Sequence, residues 1–407
     1  MNRIYASVFL TDMAGIILVF TVGRGLAEEG ADLFTLGLVG GTWALVFSIS
    51  SLVFGLVSDY LGRWPLALGG VVVMGLAASG CLIFSPPHWG FFGTYWLAGV
   101  APGMYYPAIL AFLSSEGARR SRFRGISRPL IFFCFAWNGG LISGTVVAGQ
   151  LFVWGRAWPI GVALAAAGVN LSILISALLW PVKRPPVAET LETDPDMLRH
   201  QELSAFFSRL AWIANLGGAF SMSMVFHLLP RLMVDLHVPP DNHGWLIMIC
   251  RCCVLATYLF LYRSAFWHYR FYFPLATQLL AMGGLLTIVL ARAPWQIGLG
   301  LAALGVLAGY NYFASLYYST AGGGPQRQGL VSGIHEATLA LGFAMGSLAG
   351  GLFARLAESL TDLLPPMLIQ RSPYLLAVAF SAVLLVLQTL MYRGRREEIH
   401  GKRGFLR

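Results

Sequence analysis

Twelve apolar runs of roughly twenty residues, divided by short polar connectors, constrain this chain more than any other feature. They fall at approximately 4–24, 34–57, 65–85, 90–114, 129–153 and 158–181, then at about 207–233, 243–262, 271–291, 296–319, 329–354 and 372–392. As α-helices, runs of this length cross the ~30 Å hydrocarbon core of a bilayer. Only 11% of the residues are charged and 57% are hydrophobic, where a soluble domain is about a quarter charged. A water-soluble fold cannot bury that much apolar surface, so lipid is the expected solvent for most of the chain. The expected fold is an all-α polytopic membrane protein with 12 transmembrane helices in two pseudo-symmetric six-helix bundles. The first run is expected to stay in place as a helix, since no A-x-A-like cleavage site follows it.

Charge sorts by side of the membrane. Of the 27 Lys and Arg residues, 20 lie in connectors on the side of the amino terminus. The opposite connectors hold Arg24, Arg156, Arg292, Arg355 and Arg371. Basic residues accumulate on the cytoplasmic side, so both termini are expected in the cytoplasm and the chain in the inner membrane. The net charge of +9 therefore points to topology and not to nucleic acid. All five cysteines fall within apolar runs, and Cys250-Arg-Cys252-Cys253 lacks zinc-site spacing. No metal, cofactor or disulfide framework is expected.

One long polar connector separates six runs from six. The expected division is an amino-terminal bundle over 1–181, a cytoplasmic linker over 182–206, a second bundle over 207–393 and a basic tail over 394–407. Faint internal matches support duplication. Asp12-Met-Ala-Gly15 aligns with Asn215-Leu-Gly-Gly218 at an offset of 203, and Ala148–Phe152 with Ala349–Phe353 at 201. Gly103 and Ala108 align with Gly309 and Ala314 at 206.

Between the second and third runs stands Gly55-Leu-Val-Ser58-Asp59-Tyr-Leu-Gly62-Arg63. This resembles the G-x-x-[SA]-D-x-x-G-R signature of the major facilitator superfamily, in the loop where that family carries it. Gly62 suits a tight turn, Arg63 suits the cytoplasmic interface, and Asp59 is a fixed negative charge at the membrane edge. The eleventh run begins on the same side, and its positive helix terminus would attract Asp59. The resemblance implies a latch between the two halves made by Gly55, Asp59, Gly62 and Arg63. It also implies that the first, fourth, seventh and tenth helices line a central cavity, while the third, sixth, ninth and twelfth face lipid. Two marks of the family's drug/proton antiporters are missing: an arginine in the fourth run, and a proline after the Gly140-x-x-x-Gly144 stretch of the fifth.

Charged side chains inside a span cost roughly 2.5–3.5 kcal/mol on insertion scales, so each one invites a functional explanation. Those deep inside the runs are Asp12, His227, Arg251, His335 and Glu336. The third, sixth, ninth and twelfth runs carry none. Asp12 and Glu336 are the candidates for proton coupling, Asp12 foremost. Arg251 and Glu336 reach similar depth, so a buried pair between them is expected. A zinc-protease H-E-x-x-H motif would need histidine at 339, where Leu339 stands. Aromatic rings with polar tips and buried amides suit a cavity for an organic solute. Tyr105, Asn138, Asn215, His227, Arg251, Tyr310, Asn311 and His335 are accordingly the candidates for its wall. Small-residue stripes at Gly140-x-x-x-Gly144 and Gly342-x-x-x-Gly346-x-x-x-Gly350 are expected at the seam between the halves.

No nucleotide-binding G-x-x-x-x-G-K-[ST] motif and no nucleophile–base constellation stands out. The chain is thus expected to be a monomeric, non-enzymatic, proton-coupled secondary transporter of a small organic solute, working by alternating access, with export favoured over uptake. A scaffold or receptor on the same fold is the alternative class, and a membrane-embedded enzyme a more distant one.

Overall fold

The computed structural model describes residues 1–86, 88–120, 128–179, 195–322, 328–360, 363 and 365–395. Residues 182–194 of the expected linker and 396–407 of the expected tail lie outside them.

Twelve membrane-length helices appear among the described residues. The first half comprises α1 (Asn2–Glu28), α2 (Leu33–Leu61), α3 (Arg63–Ile83), α4 (Trp89–Arg120), α5 (Arg128–Phe152) and α6 (Ala157–Leu179). In the second half, α7 runs through Pro195–Ser223, a π segment at Met224–Leu228, and Leu229–Asp235. It is followed by α8 (Pro240–Arg263), α9 (Tyr272–Leu290), α10 (Pro294–Gly322), α11 (Gln328–Glu358) and α12 (Pro366–Arg393). The helix α7 therefore starts inside the segment expected to be linker.

Local chemistry sets several boundaries. Asp32 caps α2, its Oδ1 accepting from the Thr35 amide at 2.7 Å, which satisfies one of the free donors of a first turn. Gly62 separates α2 from α3 at φ 88°, in the left-handed region that side-chain-bearing residues avoid. The π segment follows from Pro230, which has no N–H to offer the carbonyl four residues back. The ladder slips by one residue, and the Leu229 amide bonds Met224 O instead.

Burial divides the helices by role. In α1, α4, α7 and α10, 72–83% of the span is buried inside the protein, against 22–39% in α6, α9 and α12. The latter present apolar side chains outward, among them Val169, Ile175, Leu279, Leu286, Val383 and Leu390. An exposed apolar surface of that extent fits lipid and not water.

The halves meet chiefly along α2 with α11 and α5 with α8. A methyl group added at Gly37 would sit 2.4 Å from Ser347 O, and one at Gly55 would sit 2.8 Å from Gly333 Cα. The α2–α11 seam is thus closed backbone-to-backbone at both ends. The expected glycine stripes are placed differently. Gly140 and Gly144 press against Phe9 and Met13 of α1, and Gly342 and Gly346 against Leu216 and Phe220 of α7. Each stripe glues two helices within one half, because the close approach it permits is taken up by a helix of its own bundle. The seam between halves is made by Gly37, Gly41 and Gly55 on α2, and by Gly149 of α5 against Gly244 of α8.

Two large apolar clusters lie at opposite ends of the bundle, and each draws residues from both halves. One contains Phe20, Phe152, Phe226 and Ile288; the other contains Ile4, Phe133, Trp267 and Tyr317. Between the two clusters the halves leave a space at the seam.

Candidate functional site

That space is a cavity of about 100 Å³ at the junction of the two halves. Four of the buried polar residues singled out in the sequence line it: Asp12, His227, Arg251 and Glu336. Periodicity explains the wall. Thr11, Asp12, Gly15, Ile16 and Val19 fall at helical spacing on one face of α1, and Ala98, Pro102 and Tyr106 at intervals of four on α4.

The two carboxylates are held alike. Tyr106 of α4 donates its hydroxyl to Asp12 Oδ1, while Asp12 Oδ2 is buried with no hydrogen-bond partner among the described residues. Tyr312 of α10 donates to Glu336 Oε1 at 3.0 Å. Behind Glu336, His335 Nε2 lies 3.8 Å from the same oxygen, and its Nδ1 meets Ser315 Oγ at 2.8 Å. The Tyr312 ring also lies tilted against Trp137 of α5, 4.4 Å between centroids, which bridges the halves.

Arg251 is not paired with Glu336. Among the described residues no carboxylate lies within ion-pair distance of its guanidinium. The guanidinium rests instead over the Phe226 ring at 4.6 Å and faces Trp137 at 6.0 Å. Equal depth in α8 and α11 was not enough: Tyr312 takes the Glu336 oxygen, and the aromatic faces take the cation.

His227 stands in the π segment, where the slipped register carries it to the cavity. Its Nδ1 meets Ser347 Oγ of α11 at 2.6 Å, and its Nε2 is buried without a partner among the described residues. Trp43 of α2 and Phe343 of α11 meet the ring edge-on. A methyl group at Gly40 would come within 2.3 Å of His227 Cγ, so the imidazole occupies a notch in α2 that only glycine leaves open.

Six expected wall residues lie elsewhere. The Tyr105 hydroxyl shares a hydrogen bond with Ser7 Oγ at 2.7 Å inside the first half; its neighbour Tyr106 takes the wall position. Tyr310 and Asn311 line a separate cavity of about 20 Å³ with Phe207 and Gln388, and Asn311 Nδ2 donates to Ala214 O at 2.7 Å. Asn138 Nδ2 is spent on Cys134 O at 3.1 Å. Asn215 is buried away from the cavity, and His335 sits behind Glu336. In each case a local hydrogen-bond partner or the helix face claims the group first. Trp43, Tyr106, Trp137, Phe226 and Tyr312 complete the aromatic part of the wall.

At the end of the bundle bearing Gly62, Asp59 meets the start of α11. Its Oδ1 accepts from the Gly329 amide at 3.1 Å and its Oδ2 from the Leu330 amide at 3.2 Å. A carboxylate of one half thus caps a helix of the other. Gly55 makes the approach possible, one turn earlier, by lying against Gly333. Arg63 opens α3 directly after the Gly62 turn.

Comparison with known proteins agrees with this architecture. The profile of the Major Facilitator Superfamily matches residues 4–347. The inner membrane transport protein YajR of Escherichia coli K12 is 28% identical over 171 residues, 42% of this chain and 37% of that protein. A gentisate transporter of Corynebacterium glutamicum is 24% identical over 217 residues, 49% of this chain and 44% of the other. The matched stretch thus spans less than half the length of either relative. The human organic anion transporter MFSD10 superimposes with a TM-score of 0.60 at 18% identity, over 93% of this chain and 99% of that one. A bacterial homolog of the human lysosomal transporter Spinster, inward-facing and occupied, gives 0.67 at 12% identity, over 96% of both chains. These two likenesses concern the fold. The profile match runs through nearly the whole chain, and the twelve helices close the case: the chain is an integral membrane protein belonging to the Major Facilitator Superfamily.

Proposed function

We propose that the chain is a proton-coupled secondary transporter that moves a small organic solute by alternating access, as a monomer in the inner membrane with both termini in the cytoplasm. One observation carries this reading: the cavity at the seam of the halves holds two carboxylates, Asp12 and Glu336, each bonded to a tyrosine of its own half. A buried carboxylate beside solute space exchanges a proton without needing a metal or nucleotide. The gentisate and organic-anion transporters among the similar proteins, by their names, add support for an organic solute.

Asp12 is assigned the coupling role, because its Oδ2 faces the cavity lining with no hydrogen-bond partner among the described residues. Asp59 is assigned the latch: its bonds to the α11 terminus hold one end shut and must break when that end opens. The test is reconstitution into liposomes with an imposed pH gradient. Gradient-driven flux of solute should vanish in Asp12→Asn, while solute exchange at equal pH persists. Undiminished gradient-driven flux in that variant would remove Asp12 from the mechanism.

A further inference from the structure

Of the groups facing the cavity, Arg251 is the hardest to explain as structure. It is 5% exposed, lines the cavity, and its Nε has no hydrogen-bond partner among the described residues. Leaving a buried cation uncompensated is expensive, and both nearby carboxylates are bonded to tyrosines instead. The faces of Phe226 and Trp137 support the guanidinium but supply no negative charge. When Asp12 and Glu336 are protonated, the cavity holds no anion to balance this cation.

Building on the transporter proposal, we propose that the solute is a small organic monoanion with an aromatic body, and that Arg251 binds its carboxylate. A guanidinium offers a planar fork of donors that matches a carboxylate two-to-two. The ring of the solute would lie among Trp137, Tyr312 and Phe226, whose faces and edges favour offset or edge-on contact with another ring.

Charge then sets the direction of coupling. With Asp12 and Glu336 both ionised, the cavity carries one positive charge against two negative, and an anion is repelled. With both protonated, Arg251 alone remains charged, and an anion is attracted. His227, in contact with Ser347, and His335, behind Glu336, would add positive charge on protonation and push the same way. The remaining titratable groups around Arg251 are the Cys250 thiol and the hydroxyls of Tyr106, Tyr258 and Tyr312, whose ordinary pKa values all lie above about 8. Protons and anion therefore promote each other's binding, and by linkage each raises the affinity for the other equally. They travel together. Under a proton gradient directed inward this gives uptake, opposite to the export favoured by the sequence.

The test is a titration of the purified full chain followed by tryptophan fluorescence, since Trp43 and Trp137 line the cavity. The probes are benzoate, phenylacetate and 3-phenylpropanoate, each beside its uncharged amide, at pH 6 and pH 8. At least one acid should bind, its amide should bind at least about tenfold more weakly, and the acid should bind more tightly at pH 6. Arg251→Gln should weaken the acid by about 30-fold or more, the scale for removing one partner of a buried charge pair, and Arg251→Lys should recover part of the loss. Failure of all three acids to bind, equal binding of acid and amide, or tighter binding at pH 8 overturns the proposal. The wild-type comparison stands even if Arg251→Gln does not fold. Failure of the transporter reading looks different: the acid binds with the expected preference, yet liposomes show no gradient-driven uptake.

Discussion

The two halves each bring a carboxylate to the cavity and each hold it with a tyrosine, but what surrounds the pair differs. In the first half Asp12 Oδ2 has no hydrogen-bond partner among the described residues, and its neighbours on α1 are Thr11, Gly15 and Ile16. In the second half Glu336 sits with His335 and Tyr312, and Arg251 and Phe226 of the same half face the cavity beside it. The first half thus brings the proposed proton site and the rings of Trp43 and Trp137, but no cation. The second has a cation, rings and histidines suited to gripping a solute. Duplicated bundles can carry the same acid–tyrosine arrangement and still divide the labour, proton on one side and solute on the other.

The strongest way to break this division is to neutralise each acid separately. Asp12→Asn should abolish gradient-driven uptake and spare exchange. Glu336→Gln should retain gradient-driven uptake and, by making the cavity one charge more positive at pH 8, tighten binding of an aromatic acid about tenfold. That factor is ~1.4 kcal/mol, the scale of one charge about 10 Å away at an effective dielectric near 20. Loss of gradient-driven uptake in both variants, measured in liposomes, would make the acids equivalent and dissolve the comparison. A smaller effect is expected from the tyrosines. Each hydroxyl makes one bond to a carboxylate, on the order of 1.5–3 kcal/mol. Tyr106→Phe should slow gradient-driven uptake about tenfold and leave exchange alone, whereas Tyr312→Phe should slow both, because its ring belongs to the solute wall.

The sequence made the helices legible because the bilayer imposes a length and a polarity that no other solvent demands. The buried charges were legible for the same reason: Asp12, His227, Arg251 and Glu336 are too costly to place in a span without use, and all four line the cavity. Which of the neighbouring tyrosines reaches the cavity was not. Tyr105 and Tyr106, or Tyr310 and Tyr312, differ by one or two positions, and each step turns a side chain by ~100° around the helix. Which of them faces the cavity depends on the neighbouring helix and not on the residue. Spacing gave a usable signal on α4, where Ala98 and Pro102 precede Tyr106 by eight and four, but only once the cavity face of α4 is known. Glycine stripes misled in a related way. Small residues report that some helix comes close, and the partner proved to lie inside each half.

Asp59 sharpens the comparison from a third position, for it is a carboxylate of the first half held by the second. Asp12 and Glu336 keep their bonds when the halves move as rigid bodies; the bonds from Gly329 and Leu330 to Asp59 cannot survive opening at that end. Asp59→Ala should therefore leave ligand binding to the closed cavity nearly intact and shift only the balance between closed and open. A capping carboxylate contributes about 1 kcal/mol, so the shift is about fivefold. Hydrogen exchange in a peptide covering the start of α11 would read it as fivefold lower protection, with Asp59→Asn, which still accepts a bond, falling between. Equal protection in all three proteins would mean that Gly55 and Gly333 close that end by packing alone.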